Sequence, residues 1–460
     1  MPLPDHRPVI IGAGVSGLFV SAALARAGVP HLLLGPPTPP GAPRLGESLD
    51  TIGSLELAAQ VPELTEFRYR KDCIALHSSG RETGVFSFRE LLASTRVRLV
   101  AHWMLGLPRS TPWTFHVDRY AFDDQLFTRC TASPLVTHSP LKVTEIKVEG
   151  DRVTALHLND GQVLHPSHVF DATNHIRLLG RALGVEPISL DVPRYTVFAR
   201  YFRPEGEGCD HEAGPNWLRT THLVSLSVEA HGVEGLVWVL PMPGYVSIGV
   251  SMDEEAPRPD DARVLEIAEE VCRARGLDWR ARYPTAGPST AVRHRYFFHE
   301  RVSGENWMMI GGSAFAMHLA SSSGLTSALA MAKVAPEFLR HPRRVGRRLH
   351  RFVRWVVSGH ATFDDISRSA EVVEEQRERW IREAYQRIAN HAALCSVPLK
   401  RTLGVWAWWF LEWRLVTNRM FRSDEFHTRL LSPQANHAWM NARETEVRGD
   451  SIEQLLLEAG

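Results

Sequence analysis

The chain has 460 residues, room for about three units at ~150 residues each, and its 52 Lys plus Arg balance its 52 Asp plus Glu. That zero net charge excludes the basic surplus of a nucleic-acid-binding protein and the acidic bias of a disordered chain. With 44% hydrophobic and 23% charged residues, the composition is that of a globular protein with ample core material.

The five cysteines, Cys73, Cys130, Cys209, Cys272 and Cys395, are scattered and contain no Cys-x-x-Cys pair. This spacing predicts neither a disulfide framework nor a metal site, and points to a reducing cytoplasm. The N-terminus lacks the basic, apolar and cleavage regions of a signal peptide.

In chain order, the first motif is Pro8-Val-Ile-Ile-Gly-Ala-Gly-Val-Ser-Gly-Leu. Val9 to Ile11 reads as a buried parallel strand, Gly12, Gly14 and Gly17 fit Gly-x-Gly-x-x-Gly, and an Ala-rich helix follows from Phe19 to Ala27. The glycines permit a tight turn, close approach of the backbone to a pyrophosphate, and close packing of helix on strand. The helix N-terminus offers N–H groups to the phosphates. A second strand, Pro30-His-Leu-Leu-Leu-Gly35, ends without the acidic residue that holds the adenosine ribose in such sites, and a Pro-rich loop to Pro43 supplies none.

Arg44-Leu-Gly-Glu-Ser-Leu comes next, followed by Phe67-Arg-Tyr-Arg-Lys-Asp-Cys with Lys71 in a basic run. His116-Val-Asp-Arg-Tyr-Ala-Phe-Asp opens a predicted helix, and Val169-Phe-Asp-Ala-Thr-Asn ends a predicted strand. Leu223-Val-Ser-Leu-Ser-Val and Tyr245-Val-Ser-Ile-Gly-Val alternate with period two, and the hairpin they imply carries Trp238. Trp307-Met-Met-Ile-Gly-Gly-Ser-Ala then leads to Ser321-Ser-Ser-Gly324 and a helix from Thr326. From about residue 341 the pattern is helical and Arg-rich. There Trp406, Trp409 and Trp413 share one helix face. That face docks on the protein, covers a substrate, or touches a membrane interface.

The order and spacing of these segments over about residues 8–340 resemble the flavoprotein monooxygenase superfamily, with its p-hydroxybenzoate-hydroxylase-like fold. The Gly-Glu-Ser and Asp-Arg-x-x-Phe-Asp segments are most similar to flavin-dependent halogenases. The resemblance implies an α/β fold: a Rossmann-like FAD-binding domain (1–65, 115–185, 290–340) interleaved with a β-sheet substrate domain (66–114, 186–289), plus a helical C-terminal region (341–460). It implies FAD contacts at Gly12, Gly14, Gly17, Arg44, Ser48, Arg119, Asp171, Gly311, Ser323 and Gly324. Arg44 and Arg119 are alternatively surface charges, and Ser323 alternatively a simple helix cap. Trp238 is implied as a substrate contact or, alternatively, core. In halogenases reduced flavin and O2 oxidise halide to hypohalous acid, which a tunnel carries to a lysine. Lys71 stands at the matching distance from Gly-Glu-Ser, and otherwise reads as a solvated charge beside Arg68 and Arg70.

The sequence also departs from the family. Leu236 replaces the first Trp of the Gly-Trp-x-Trp-x-Ile-Pro segment, Gly312 replaces the Asp of Gly-Asp-Ala, His318-Leu319 replaces Asp-Pro, and Asn174 replaces the Gly of Asp-Ala-Thr-Gly. Losing two carboxylates, at ~1.5–3 kcal/mol each, weakens flavin binding by roughly two to four decades. Two readings follow. One is an enzyme that takes diffusible reduced FAD from a separate flavin reductase; the other is a relative without redox chemistry. The resulting expectation is a halogenase acting on an aromatic or pyrrolic intermediate, free or tethered to a carrier protein. Its alternatives are a monooxygenase of secondary metabolism and a non-redox binder.

Overall fold

The computed structural model describes residues 3–39, 42, 44–77, 83–87, 114–207, 209, 211, 214–228, 231–358, 394 and 428–442. The short apolar runs of the nucleotide-binding half form a five-stranded sheet. Its order is Trp307–Met309, Val169–Asp171, Val9–Ile11, His31–Leu34 and Val136–Ser139. Every pairing in it is parallel. Parallel strands are buried on both sides, which is why these segments read as unbroken apolar runs. The helices Val15–Arg26, Arg119–Ala132 and Ser323–Phe338 share one core with them, including Phe19, Phe122, Leu329 and Phe338. A small antiparallel sheet, Val143–Glu149, Arg152–Leu158 and Val163–Leu164, is added to this half.

The second, nine-stranded sheet runs through Arg194–Phe202, Tyr245–Asp253, Val233–Pro241, Thr220–Val228, Cys73–His77 and Thr83–Ser87. The two alternating runs do not pair with each other as a hairpin. Val233–Pro241 lies between them, so they form a three-strand meander. Period-two alternation gives this sheet two different faces. On one, Val197, Ala199, Val224, Val237, Val239, Ile248 and Val250 are 0–3% exposed and pack with the helix Asp261–Ala274, Trp217 and Trp279. On the other, Ile74, Leu76, Phe198, Leu223, Leu236, Trp238 and Leu240 cluster with Ala320 from the nucleotide-binding half, and each keeps 4–7% exposure. This second cluster is a buried apolar patch between the large sheet and the nucleotide-binding half.

The helix Pro342–Ser358 lays Val345, Leu349, Phe352 and Val353 on the first core, turns Arg343, Arg344, Arg347, Arg351 and Arg354 outward, and pairs Arg348 with Glu337. The C-terminal region, expected to be helical, also supplies a strand: Thr428–Leu431 pairs with Thr83–Ser87 at the edge of the large sheet. The helix Pro433–Asn441 then buries Trp439 and Met440 in the second core. The face of Trp406, Trp409 and Trp413 lies outside the described residues. Among the described residues no helix is long and apolar enough to cross a membrane.

Candidate functional site

The glycine turn is built by contact. A side chain at Gly12, whose φ is +110°, would meet the Ala172 carbonyl at 2.6 Å, and one at Gly17 would meet the Gly12 carbonyl at 1.9 Å. Gly14 differs: nothing lies within 4 Å of where its side chain would be, and it caps the helix Val15–Arg26 without a side-chain hydrogen bond. The first N–H groups of that helix therefore have no side-chain cap, the arrangement that can receive a phosphate. Gly35 closes the other side. Its φ is +123°, and a side chain there would come within 3.3 Å of the Ala13 nitrogen. The backbone leaves no place for a ribose-binding carboxylate.

Two departures from the family pattern meet in space. A side chain at Gly312 would stand 2.2 Å from Asn174 Oδ1. The Asn174 amide thus fills the position from which residue 312 would otherwise project. Asp171, expected to touch the cofactor, is instead a brace. It accepts hydrogen bonds from Thr173 N, Thr173 Oγ1, Leu179 N and Ser313 Oγ, at 2.6 to 3.2 Å. Burial raises its pKa despite these donors. Gly311, at φ +55°, makes the bend that brings Ser313 to it.

The 318–324 turn leads into the helix Ser323–Phe338. Ser321 and Ser323 hydroxyls lie 2.6 Å apart, Ser322 is left-handed with φ +50°, and nothing stands within 4 Å of a side chain at Gly324. The N-cap residue Ser322 gives this helix no side-chain bond, but the Ser321 hydroxyl accepts from Ser323 N at 3.3 Å. The site thus has an uncapped helix N-terminus at Gly14, a second helix start held by Ser321, and open glycines, a donor set that fits a dinucleotide. His318 Nδ1 accepts from Ala320 N and packs on Tyr296, which commits that ring to the turn.

Arg44 and Arg119, two further expected cofactor contacts, are committed to protein oxygens. Arg44 donates to the Arg119 and Tyr120 carbonyls and to Asp124. Arg119 grips Asp123 with two hydrogen bonds and donates to the Leu45 carbonyl. They are buried and not surface charges, and they pin the 44–49 segment to the helix Arg119–Ala132. Glu47, on that segment, is buried, and burial raises its pKa against the pull of the Ser247 hydroxyl, Arg119 and Arg200.

Ser48 is the junction. Its hydroxyl is 2.9 Å from Lys71 Nζ and 3.1 Å from Thr221 Oγ1. Lys71 also donates to the Leu49 carbonyl at 2.6 Å. Far from being a solvated member of a basic run, Lys71 is fully buried. Burial lowers its pKa to about 7, opposed by the carboxylate of Asp50 and by Cys73. Asp50 accepts from Thr326 Oγ1 at 2.9 Å, which links the lysine's surroundings to the helix Ser323–Phe338. Thr221 belongs to the same sheet face as Leu223 and is paired with Ile74, so Lys71 is tied to the end of the apolar face. Trp238 lies on that face against Gly249, where a side chain would meet the indole at 2.0 Å.

The sequence reading assigned no role to Thr221 or His116. His116 Nε2 is 2.8 Å from Thr221 Oγ1, and both are buried. His116 stands in a quoted motif, but nothing in linear spacing joins positions 48, 71, 116 and 221.

No family model matches the chain. The menaquinone reductase of Mycolicibacterium smegmatis is 30% identical over 190 residues, 41% of this chain and 44% of that protein. The chain thus spans less than half the length of this relative. The menaquinone reductase of Mycobacterium tuberculosis is 25% identical over 335 residues, 72% of this chain and 76% of that protein. Among solved structures, flavin-dependent brominase Bmp2 superposes with a TM-score of 0.59 at 16% identity, covering 89% of this chain and 99% of its own. PqsL of Pseudomonas aeruginosa, a probable FAD-dependent monooxygenase, gives 0.55 at 16% identity, over 88% and 100%. The chain has the fold of FAD-binding halogenases and monooxygenases, as its motifs led us to expect.

Proposed function

We propose that the chain is an FAD-dependent oxidoreductase that halogenates an electron-rich aromatic substrate laid on the apolar sheet face. The buried Lys71, held by Ser48 and Leu49 at the end of that face, carries the reading. FAD would be held by the uncapped helix at Gly14 and the 321–324 turn, with the Asn174 amide beside Gly312 in place of a carboxylate. When bound and reduced, the flavin supplies with O2 the equivalents that oxidise a halide to hypohalous acid. Lys71 as ammonium donates a hydrogen bond to that small oxidant, and as amine it is a nucleophile. With a pKa near 7, both forms are accessible at neutrality. The aromatic hydrogen is replaced by halogen and water leaves. Weak flavin retention suits delivery of diffusible reduced FAD by a separate reductase, and a carrier-tethered substrate is compatible with the same face.

A second reading, reduction of an apolar quinone-like substrate, draws on the two menaquinone reductases and on the purely apolar character of Ile74, Leu76, Leu223, Leu236 and Leu240. One experiment separates the two. The protein is given reduced FAD, O2, bromide and an electron-rich phenol, and in parallel reduced FAD and a prenylated quinone without O2. Halogenation predicts a brominated product by mass that falls by about 10²-fold or more in Lys71→Met while flavin affinity is unchanged. Quinone reduction without bromination, or full bromination by Lys71→Met, overturns the proposal.

A further inference from the structure

Four buried polar side chains from separate parts of the chain form one string: Lys71 Nζ to Ser48 Oγ at 2.9 Å, Ser48 Oγ to Thr221 Oγ1 at 3.1 Å, and Thr221 Oγ1 to His116 Nε2 at 2.8 Å. We propose that His116, acting through Thr221 and Ser48, is a positioning residue that holds Lys71 in its protonated form. The proposal rests on Lys71 as the working residue of the site.

The direction of the string follows from donor and acceptor counting. An ammonium has three hydrogens to donate and no lone pair. Ser48 Oγ must therefore accept from Lys71, and its own hydrogen is left for Thr221 Oγ1. The Thr221 hydrogen in turn needs an acceptor, and His116 Nε2 is the atom at hydrogen-bonding distance. His116 thereby carries its hydrogen on Nδ1, and the backbone of Pro241 is a further hydrogen-bond partner of the ring. The imidazole stays neutral: burial holds its pKa well below the usual value, and Lys71, His211 and His222 press it the same way. With a neutral acceptor at its end, both hydroxyls point away from the lysine, and a lone pair of Ser48 faces the ammonium. Chains aligned in this way strengthen one another.

Other groups face Lys71 as well. The Leu49 carbonyl accepts its second hydrogen bond, while the Asp50 carboxylate and the Cys73 thiol favour its charge. On the adjoining strand, the Thr114 hydroxyl bonds the lysine's own carbonyl and not its amine. These stay in place when His116 is changed. Without an acceptor at position 116, the Thr221 and Ser48 hydrogens are free to turn toward Lys71. A hydroxyl hydrogen facing Nζ favours the neutral amine, so the lysine should then lose its proton at lower pH.

The test reads the lysine directly, without turnover. The chain has only five lysines: Lys71, Lys142, Lys147, Lys333 and Lys400. Protein labelled with 13C at lysine Cε gives one titrating signal for each, with Lys71 assigned by its loss in Lys71→Arg. In His116→Phe and in the near-isosteric Thr221→Val, the Lys71 midpoint should fall by about one pH unit. His116→Gln, which can accept in place of Nε2, and Thr221→Ser, which keeps the hydroxyl, should hold it near the wild-type value. The Lys142, Lys147 and Lys333 signals report that each variant is folded, and Thr221→Val stands in if His116→Phe is not. A midpoint that is unmoved or raised in the folded acceptor-less variants overturns the proposal. Absence of bromination by the wild type, with the predicted shifts intact, would refute the halogenase reading and leave the string established.

Discussion

At the scale of single residues, the two positions that depart most from the family pattern explain each other. Asn174, at φ +56°, is one of four non-glycine residues with positive φ among those described, and its amide takes the space beside Gly312. Either departure viewed alone looks like the loss of a cofactor contact. Seen together they are a steric exchange, with a polar group retained at the same point. Gly312→Ala puts a methyl 2.2 Å from Asn174 Oδ1 and should cost ~1–3 kcal/mol in urea denaturation. Asn174→Gly on that background should recover most of the loss, so a double-mutant cycle in which the two changes simply add would refute the exchange. Gly249 and Trp238 show the same logic across neighbouring strands, where the missing side chain is the bed of the indole.

At the scale of elements, the segment that holds Lys71 is anchored by helix against helix. Helix Thr51–Gln60 meets helix Ser323–Phe338 at Gly53, where an added methyl would lie 2.1 Å from Thr326 Oγ1. Asp50 caps the first helix through Gly53 N at 2.6 Å and accepts from Thr326. By helix propensity alone Gly53→Ala should stabilise by ~1 kcal/mol. The contact reverses the sign: overpacking costs ~1–3 kcal/mol and strains the Asp50 bond. We therefore expect a lower thermal midpoint for Gly53→Ala and a weakened hold on Lys71. A raised midpoint would show that the helices can part at no cost. The start of helix Val15–Arg26, with Gly14 as its N-cap, lacks the side-chain bond that Asp50 gives its helix, which leaves its N–H groups for a ligand.

At the scale of the whole molecule, several of the 22 histidines are buried and make stability depend on pH. Burial lowers the pKa of His77 and His116 well below the usual value, of His222 to about 3, and of His294 and His299 to about 4. Below about pH 6.5 the unfolded chain binds protons at these sites and the folded one does not, so stability falls as pH falls. Lys71 acts at the other end. Below its folded pKa of about 7 it is protonated in both states. From there up to about pH 10.5 only the unfolded chain keeps the proton, so its contribution to stability rises with pH. Urea midpoints should therefore drop steeply from about pH 6.5 to 4, and His222→Gln should flatten that limb. The rise from about pH 7 to 10 should be smaller in Lys71→Met. A wild-type midpoint level across the acid range would contradict the buried, neutral state of these rings.

The sequence by itself determined what local periodicity and turn chemistry encode. The Gly-x-Gly-x-x-Gly turn with its strands, the alternating runs of the large sheet, and the absence of a carboxylate at Gly35 and Gly312 were all legible, because neighbours in the chain set them. It left Lys71 open between a solvated charge and a working group, left Arg44 and Arg119 open between a cofactor contact and a surface charge, and placed Asp171 at the cofactor without showing what it bonds. Only the tertiary structure decided these. Burial and hydrogen-bond partners depend on residues some 20 to 170 positions away, such as Ser48 to Lys71 and Ser48 to Thr221. Arginines and carboxylates that are polar on paper become braces once their hydrogen bonds go to protein partners, and a lysine becomes chemically poised once water is removed from around it.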